Sequence, residues 1–237
     1  MTGTMSRSLD ALDSLHHRLT AEMTVPPGST DKPAAQALTI ALSRQAGSGG
    51  SDIAKEVGRL LDWPVYDNEL LTRIALEKGL SARMLEGLDE RHVSWLEQAI
   101  HSFSKGGPLD GRYLNGLLRV LASLSKSGHC VIVGRGASHV LPPDTTLGVR
   151  VVAPRAWRVG QVQKRMDLSA ADAEQWVNEH DRERLAFVQA HFHADATDPT
   201  LYDMILNGQR LGTTDAASLI VQAARAFEAR LVAKSTG

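Results

Sequence analysis

The sequence predicts an α/β fold in which a parallel β-sheet is covered by helices on both faces. Short apolar runs with strand character alternate with helical patterns along most of the chain, and each run is too apolar to face water. Because the intervening helices carry the chain back across the sheet, successive strands are expected to lie parallel. The predicted strands are residues 37–42, 63–67, 129–134, 146–153 and 202–207.

Helical patterns occupy the intervals between these strands. The predicted helices cover residues 51–61, much of 67–104, 112–127, two segments that end near Gln189, and 214–235. The stretch "KGGPLDG" at 105–111 interrupts the helical periodicity, as glycine and proline usually do. Ser51 is a candidate N-cap for the first helix, because its hydroxyl can accept a hydrogen bond from a free amide of the first turn.

The first 36 residues differ from the rest of the chain. Leu9, Leu12, Leu15 and Leu19 have the spacing of one helix face, which predicts a helical arm. The stretch "VPPGSTDKPAAQ" that follows has the composition of a flexible linker. We therefore predict an arm and linker over residues 1–36 and a single domain over residues 37–237.

Composition and charge narrow the class of protein. Hydrophobic residues make up 43% of the 237 residues, which is enough for a sizeable core. The 26 lysines and arginines nearly balance the 27 aspartates and glutamates, so no nucleic-acid partner is expected. The single cysteine, Cys130, lies in an apolar run, where core packing explains it better than thiol chemistry. With no recognisable secretory signal and no apolar run long enough to cross a membrane, a cytoplasmic protein without membrane attachment is expected.

The stretch "ALSRQAGSGGSDIA", residues 41–54, is the strongest functional signal in the chain. A strand that runs into a glycine-rich turn and opens a helix gathers backbone N–H groups at the positive end of the helix dipole, which favours a phosphate. Against the Walker A spacing, the stretch supplies Arg44, then Gly49, Gly50 and Ser51, so Gly50 stands where the phosphate-binding lysine belongs. The predicted phosphate-binding residues are Gly47, Ser48, Gly49, Gly50 and Ser51.

Two side chains near this turn receive more specific roles. Ser51 has the position of the Walker hydroxyl that holds Mg²⁺. Arg44, at the front of the turn, is the nearest cation that could replace the missing lysine at the donor phosphates. The structural alternative is a tight strand-to-helix turn that Ser51 caps and that binds no ligand.

The same residues resemble a known family. The segment "TIALSRQAGSGGSDIAKEVGRLLDWPVYDNELL" is similar to the start of the cytidylate kinase-like family, a branch of the P-loop nucleoside monophosphate kinases whose loop reads Ser-Arg-Gln-x-Gly-Ser-Gly-Gly. The resemblance continues through "VIVGRGASHVLPPDTTLGVRVVAPRAWRV", "HDRERLAFV" and "YDMILNGQRLGTTDAASLI", over residues 38–222. It implies a three-layer P-loop kinase-like fold with a helical lid. It also implies a kinase that uses ATP and Mg²⁺ to phosphorylate a CMP-like nucleoside monophosphate or another small acceptor.

The resemblance further implies acceptor-binding residues. Cytidylate kinases hold the acceptor nucleotide with an Asp and an Arg six residues apart after the second strand, and Asp67 and Arg73 have that separation. They place Gly-Arg-Asp after the third strand, where this chain has Arg135 followed by Gly136. Arg135 is also a candidate on physical grounds, because it follows an apolar strand at the edge where open α/β sheets bind ligands.

The lid of these kinases supplies arginines that clamp the transferred phosphoryl group. Arg158, Arg182 and Arg184 are the favoured candidates in the corresponding segments of this chain. Phosphoryl transfer depends on positioning and charge neutralisation, for which bidentate guanidinium groups are well suited. The competing explanation for each of them is a solvated helix face with salt bridges.

The sequence also admits interpretations other than a kinase. A non-catalytic nucleotide- or anion-binding module, with the N-terminal arm mediating homo-oligomerisation or docking, is supported by the missing Walker lysine and by the missing carboxylate after Arg135. A Rossmann dinucleotide-binding domain is disfavoured because "GSGGSD" lacks the Gly-x-Gly-x-x-Gly spacing. His191, His193 and Asp195 in "HFHAD" have the chemistry of metal ligands, but their place at a predicted helix end makes a metal site the weaker interpretation.

Overall fold

The computed structural model describes residues 37–76, 96–99 and 111–235. The predicted arm and linker lie outside the described residues, as does the predicted interruption apart from residue 111. Within the described ranges, no helix has both the length and the apolar character needed to span a membrane.

Five strands form one sheet in which every neighbouring pair is parallel. They are β1 (Thr39–Arg44), β2 (Val65–Tyr66), β3 (Cys130–Val133), β4 (Thr146–Val152) and β5 (Met204–Asn207). All five predicted strands are present, although β2 is shorter than predicted because Pro64, just before it, has no amide to donate to a ladder. The strand order is β2-β3-β1-β4-β5, so the chain leaves β1 toward one side of the sheet and later returns to the other side. Such a reversal opens a crevice at the carboxyl ends of the strands, where this class of sheet binds ligands.

Helices lie on both faces of the sheet, as predicted. The described helices are α1 (Gly50–Leu61), α2 (Asn68–Leu76), α3 (Gly111–Ser127), α4 (Ala137–Val140), α5 (Arg155–Met166), α6 (Ala170–Phe192) and α7 (Gly208–Ser235). The last helix is interrupted at Gly212, which has a φ of 68°. The helix predicted from residue 214 is the regular part that follows this interruption.

The core is divided by the sheet, because successive side chains of a strand point to opposite faces. Ile40 and Leu42 pack with the apolar faces of α1 and α7, whereas Ala41 packs with α3 and α4 on the other side. A third, small cluster joins Ala46, in the glycine-rich turn, to residues of α5 and α6. Through this cluster the two helices that the resemblance identifies as the lid are packed directly against the turn.

Candidate functional site

The turn between β1 and α1 has the backbone geometry of an anion site. Gly47 and Gly49 have φ values of 74° and 82°, a conformation that residues with side chains rarely adopt. The prediction that Ser51 caps α1 is wrong. The helix begins at Gly50, Gly49 is its N-cap without a side-chain hydrogen bond, and Ser51 lies in the first turn with an exposed side chain.

Several amides of this turn are available to a ligand. The amide of Ala46 donates to Asp181 Oδ1 at 2.7 Å, and that of Ser48 donates to the carbonyl of Gln45 at 3.3 Å. The amides from which no described residue accepts a hydrogen bond are those of Gly47, Gly49, Gly50 and Ser51. Converging free donors at a helix N-terminus are the groups that bind phosphate in glycine-rich loops.

In the Walker A pattern, the first glycine corresponds to the position of Arg44 and the lysine to the position of Gly50. This chain therefore has a long side chain where the pattern has none, and no side chain where the pattern has a long one. A Cβ added to Gly50 would lie 2.5 Å from Cβ of Arg44 and 3.3 Å from Cβ of Val151. The stem of Arg44 therefore fills the space in which a lysine at position 50 would start. The guanidinium of Arg44 extends to the end of β3, where Nη1 lies so close to Gly134 that a side chain there would collide with it.

Arg44 is a buried cation in basic surroundings. Its Nε is sealed from solvent and has no hydrogen-bond acceptor among the described residues. Burial, followed by the charge of Arg184, lowers the pKa of Arg44 to about 9, with Asp67 opposing the shift and Arg135 adding to it. An anion bound beside Arg44 would be stabilising, because it would offset both the desolvation of the guanidinium and the repulsion between the arginines.

A cavity of about 330 Å³ lies beside the turn, at the carboxyl ends of β1, β3 and β4. Its basic lining residues are Arg44, Arg135, Arg150, Arg184, His139 and His180. Of the two carboxylates that line it, Asp181 is paired with Arg158 at 2.6 Å and Glu183 is exposed. Arginines outnumber carboxylates in this lining, so an anionic ligand is expected.

Arg135 is fixed on the side of the cavity formed by α2 and α3. Its Nη2 donates to Oγ1 of Thr72 at 2.8 Å, and its guanidinium carbon lies 5.9 Å and 5.4 Å from the ring centroids of Tyr113 and Phe187. Its φ is 51°, a conformation uncommon for arginine and often found at functional sites. The structure places Arg135 where the sequence predicts, and acceptor binding by this residue stays a prediction.

The other two predicted acceptor residues lie on or beside α2. Asp67 precedes the helix, and its Oδ1 accepts a hydrogen bond from the amide of Leu70 at 3.0 Å. The charge of Asp67 also acts on Arg44. Arg73 lies within α2, but its side chain is outside the described part of the structure. Acceptor binding by this pair stays a prediction.

The three predicted lid arginines lie in different surroundings. Arg184 lines the cavity, and its Nη1 donates to the carbonyl of Arg44 at 3.1 Å. Burial lowers the pKa of Arg184. Arg182 is exposed and lines a separate depression on the outer side of α6. Of the two, Arg184 is the one placed to meet a ligand in the cavity.

Arg158 anchors the glycine-rich turn. Its side chain is 7% exposed, and its Nε donates to the carbonyl of Ala153 at 3.0 Å. Its Nη1 donates to the carbonyl of Ala46 at 2.9 Å and to Asp181 Oδ2 at 2.6 Å. These contacts make Arg158 a positioning residue, and its predicted contact with a phosphoryl group stays a prediction.

Position 136, where cytidylate kinases have an aspartate, is closed by the end of α6. Gly136 has a φ of 71°, and a Cβ added to it would overlap the ring of Phe192, with the ring Cζ at 2.9 Å. A carboxylate cannot stand at this position unless the ring moves. Gly136 differs from the aspartate of cytidylate kinases, and local packing requires the glycine.

Sequence reasoning misses two residues of this site. Asp181 stands among the arginines of "HDRER", and nothing in the spacing of this segment distinguishes it from a carboxylate on a solvated helix face. Arg150 belongs to the apolar strand "TLGVRVVA", and a charged residue inside such a strand is a signal that could have identified it, since buried charges are costly without a partner.

The sheet, the glycine-rich turn and the basic cavity together define an α/β protein of the P-loop kinase-like class. Residues 39–210 match the sequence model of the cytidylate kinase-like family. The chain therefore belongs to this family, in agreement with the resemblance of its motifs.

Curated relatives and a solved structure are similar to most of the chain. A cytidylate kinase of Methanothrix thermoacetophila is 26% identical over 193 residues, which are 81% of this chain and 100% of the relative. A cytidylate kinase of Pyrobaculum islandicum is 25% identical over 179 residues, 76% of this chain and 88% of the relative. The crystal structure of an uncharacterized protein from Eubacterium ventriosum covers 79% of this chain and 98% of its own, with a TM-score of 0.57 and 18% identity. This last similarity supports the fold.

Proposed function

We propose that the protein is a phosphotransferase that moves the γ-phosphoryl group of ATP to a nucleoside monophosphate, such as CMP or UMP, or to another small acceptor. The observation that carries this proposal is the convergence of Arg44, Arg135 and Arg184 beside loop amides that have no partner among the described residues. Phosphoryl transfer requires donors and cations held in place more than it requires proton chemistry. Membership of the cytidylate kinase-like family supports the same reaction class.

The glycine-rich turn would hold the donor nucleotide. Its free amides are suited to the donor phosphates, and the exposed Ser51 would supply the hydroxyl for Mg²⁺. When bound, Mg²⁺ would neutralise part of the negative charge of the donor phosphates. The described residues include no group of three His, Cys, Asp or Glu side chains that could form a metal site. Phosphate oxygens and water would supply most of the metal ligands, as is usual for Mg²⁺ in nucleotide sites.

Arg44 and Arg184 would stabilise the transferred group, and Arg135 would bind the acceptor. The hydrogen bond from Arg184 to the carbonyl of Arg44 holds the first two side by side. Because these cations are already oriented in a partly dehydrated site, they can stabilise developing charge with little reorganisation. Loss of one such contact typically lowers the rate by roughly 10²–10³-fold.

The second candidate function is a non-catalytic nucleotide- or anion-binding module. Gly50 at the lysine position favours it, because the donor phosphates lose a cation that Walker loops normally supply. The two candidates agree on ligand binding and differ in turnover.

A coupled ADP-release assay with ATP and Mg²⁺ tests the proposal, with CMP, dCMP and UMP as acceptors. We expect turnover by the wild type, a loss of roughly 10²–10³-fold in kcat for Arg44→Ala, and a raised acceptor KM for Arg135→Ala. The control is Arg225→Ala, which removes an exposed arginine of α7 and should leave both parameters unchanged. Binding of ATP without turnover on any acceptor would instead establish the non-catalytic module.

A further inference from the structure

Arg150 is a buried cation for which the proposed transfer has no use. Its neighbours in β4, Val149 and Val151, pack into the core between the sheet and α1 and α7, so Arg150 belongs to the opposite face. The residue is 7% exposed. Its Nη1 donates to Oγ of Ser43 at 3.2 Å and to the hydroxyl of Tyr202 at 3.0 Å.

The charge of Arg150 is not balanced by an ion pair. No carboxylate of the described residues lies within salt-bridge distance of it, and Nε and Nη2 donate to none of those residues. The side chain nevertheless lines the cavity that contains Arg135 and Arg184. The charge of the exposed Asp195 acts on that of Arg150, but this carboxylate lies beyond ion-pair distance and accepts hydrogen bonds from Thr197. A buried guanidinium without a directly paired carboxylate is costly unless a ligand supplies one. Its planar array of donors matches a carboxylate or a phosphate.

Arg150 and Arg135 lie on opposite sides of this cavity. Arg135 is tied to Thr72 in α2, whereas Arg150 is tied to Tyr202, which precedes β5. Arg135 follows β3 and Arg150 lies within β4, and β1 separates the backbones of these two strands by two strand spacings, or roughly 10 Å. Arg135 is therefore turned toward α2, whereas Arg150 lies between Ser43 of β1 and Tyr202. The two guanidinium groups are held by different partners and offer separate positions for an anion.

Neutral groups hold Arg150 in place. The hydroxyl of Tyr202 donates its proton to the carbonyl of Ala196 at 2.9 Å, so it acts as an acceptor toward Arg150 and toward Nε2 of His139 at 3.2 Å. Burial, followed by the charge of Arg150, lowers the pKa of His139. The imidazole therefore remains neutral near pH 7 and leaves Arg150 as the cation of this wall.

We propose that Arg150 binds a second anionic group of the acceptor, a carboxylate or a phosphate distinct from the phosphate held at Arg135. The inference rests on the proposed function, since it takes this cavity as the acceptor side of the site. It also agrees with the closure of position 136 by Phe192. A carboxylate at position 136 cannot select the acceptor in this protein. Arg150 of β4 would select it instead, through its positive charge.

Calorimetric titration of the full chain with two matched pairs of compounds tests this assignment. Glycerol 3-phosphate and 3-phosphoglycerate differ by a carboxylate, and CMP and cytidine 3′,5′-bisphosphate differ by a phosphate. We expect the doubly anionic member of at least one pair to bind on the order of tenfold more tightly to the wild type. The preference should disappear in Arg150→Met and persist in the control Arg225→Met, while the affinity for a non-hydrolysable ATP analogue stays the same in all three proteins.

Each result decides the matter. Equal binding within both pairs by the wild type, or an unchanged preference in Arg150→Met, overturns the assignment. Weakened binding of the ATP analogue alone also overturns it, because Arg150 would then belong to the donor side. If Arg150→Met does not fold, Arg150→Lys replaces it and should reduce the preference; if neither folds, the wild-type comparison decides alone. These are binding measurements and do not depend on turnover. A preference for the doubly anionic compound without any turnover would support the role of Arg150 and refute the proposed kinase.

Discussion

At the scale of single residues, the site depends on pairs of coupled positions rather than on independent residues. Arg44 and Gly50 are such a pair, because the stem of the arginine occupies the space into which a side chain at position 50 would grow. The lysine missing from the Walker pattern therefore cannot simply be restored. The cation beside this loop is instead Arg44, whose guanidinium enters the cavity from the end of β1.

A double-mutant cycle tests this coupling. Gly50→Lys should destabilise the protein by about 1–3 kcal/mol, since it overpacks the region around Arg44 and Val151. In the double variant Arg44→Gly with Gly50→Lys the new stem has room, so the loss in the free energy of unfolding should be smaller than the sum of the single losses by about 1 kcal/mol or more. Urea denaturation measures all four proteins. Gly160→Ala is the control, because a Cβ there meets no atom within 4 Å. If the loss in the double variant equals the sum of the two single losses, the two positions are not coupled.

The sequence predicts which residues form the loop but not what each arginine contacts. The glycines and the position of Arg135 follow from local rules, because strand ends and tight turns are determined by neighbouring residues. Arg158 and Arg184 are both helical arginines in the sequence, yet one anchors the turn and the other lines the cavity. Their difference depends on the rotation of α5 and α6 against the turn, which the spacing along either helix does not specify.

At the scale of elements, α6 is attached to the glycine-rich turn by a polar contact as well as by packing. Asp181 accepts a hydrogen bond from the amide of Ala46 and pairs with Arg158 of α5. Beside it, Val162, Ala173 and Val177 bury the apolar side of Ala46. The conformation of the turn is thus linked to the packing of both helices, and any movement of α6 would change the turn.

Asp181→Asn should therefore weaken both the fold and the binding of phosphate. The amide side chain keeps an acceptor for Ala46 but leaves the buried guanidinium of Arg158 without a charged partner, which should cost about 1–3 kcal/mol in the free energy of unfolding. The affinity for a non-hydrolysable ATP analogue should fall as well, because Arg158, which holds the carbonyl of Ala46, loses the charged partner that orients it. Urea denaturation and calorimetric titration measure the two effects.

Glu174→Gln provides the matched control for this variant. Glu174 of α6 pairs with Arg155 of α5 at 2.8 Å, but both side chains are about half exposed, at 51% and 54%. Exposed pairs of this kind contribute roughly 0–1 kcal/mol, and Arg155 donates its other hydrogen bonds to Asn178 of α6 rather than to the turn. If Asp181→Asn were as mild as Glu174→Gln in both measurements, Asp181 would not anchor the turn.

At the scale of the whole molecule, the alternation of strands and helices was sufficient to predict a parallel sheet covered on both faces. The strand order and the cavity were not predictable in the same way, because they depend on which strands become neighbours after each crossover. Arg150 illustrates the difference. Its strand is recognisable from its own residues, whereas its place opposite Arg135 follows only once β1 lies between β3 and β4.

The boundary of the folded domain is the last feature to be tested, by two truncations that differ by three residues. Deletion of residues 1–35 should keep the melting temperature within about 3 °C of the full chain, because the linker-like stretch at 25–36 separates the predicted arm from β1 and the family match begins at residue 39. Deletion of residues 1–38 should cost about 2–4 kcal/mol, because it removes Leu38, which is fully buried and accepts a hydrogen bond from the amide of His129 at 2.7 Å. Calorimetric melting measures both proteins, and sedimentation velocity reports their oligomeric state. A large loss in the shorter truncation would mean that the arm packs on the core, or on a second copy of the chain if the oligomeric state changed with it.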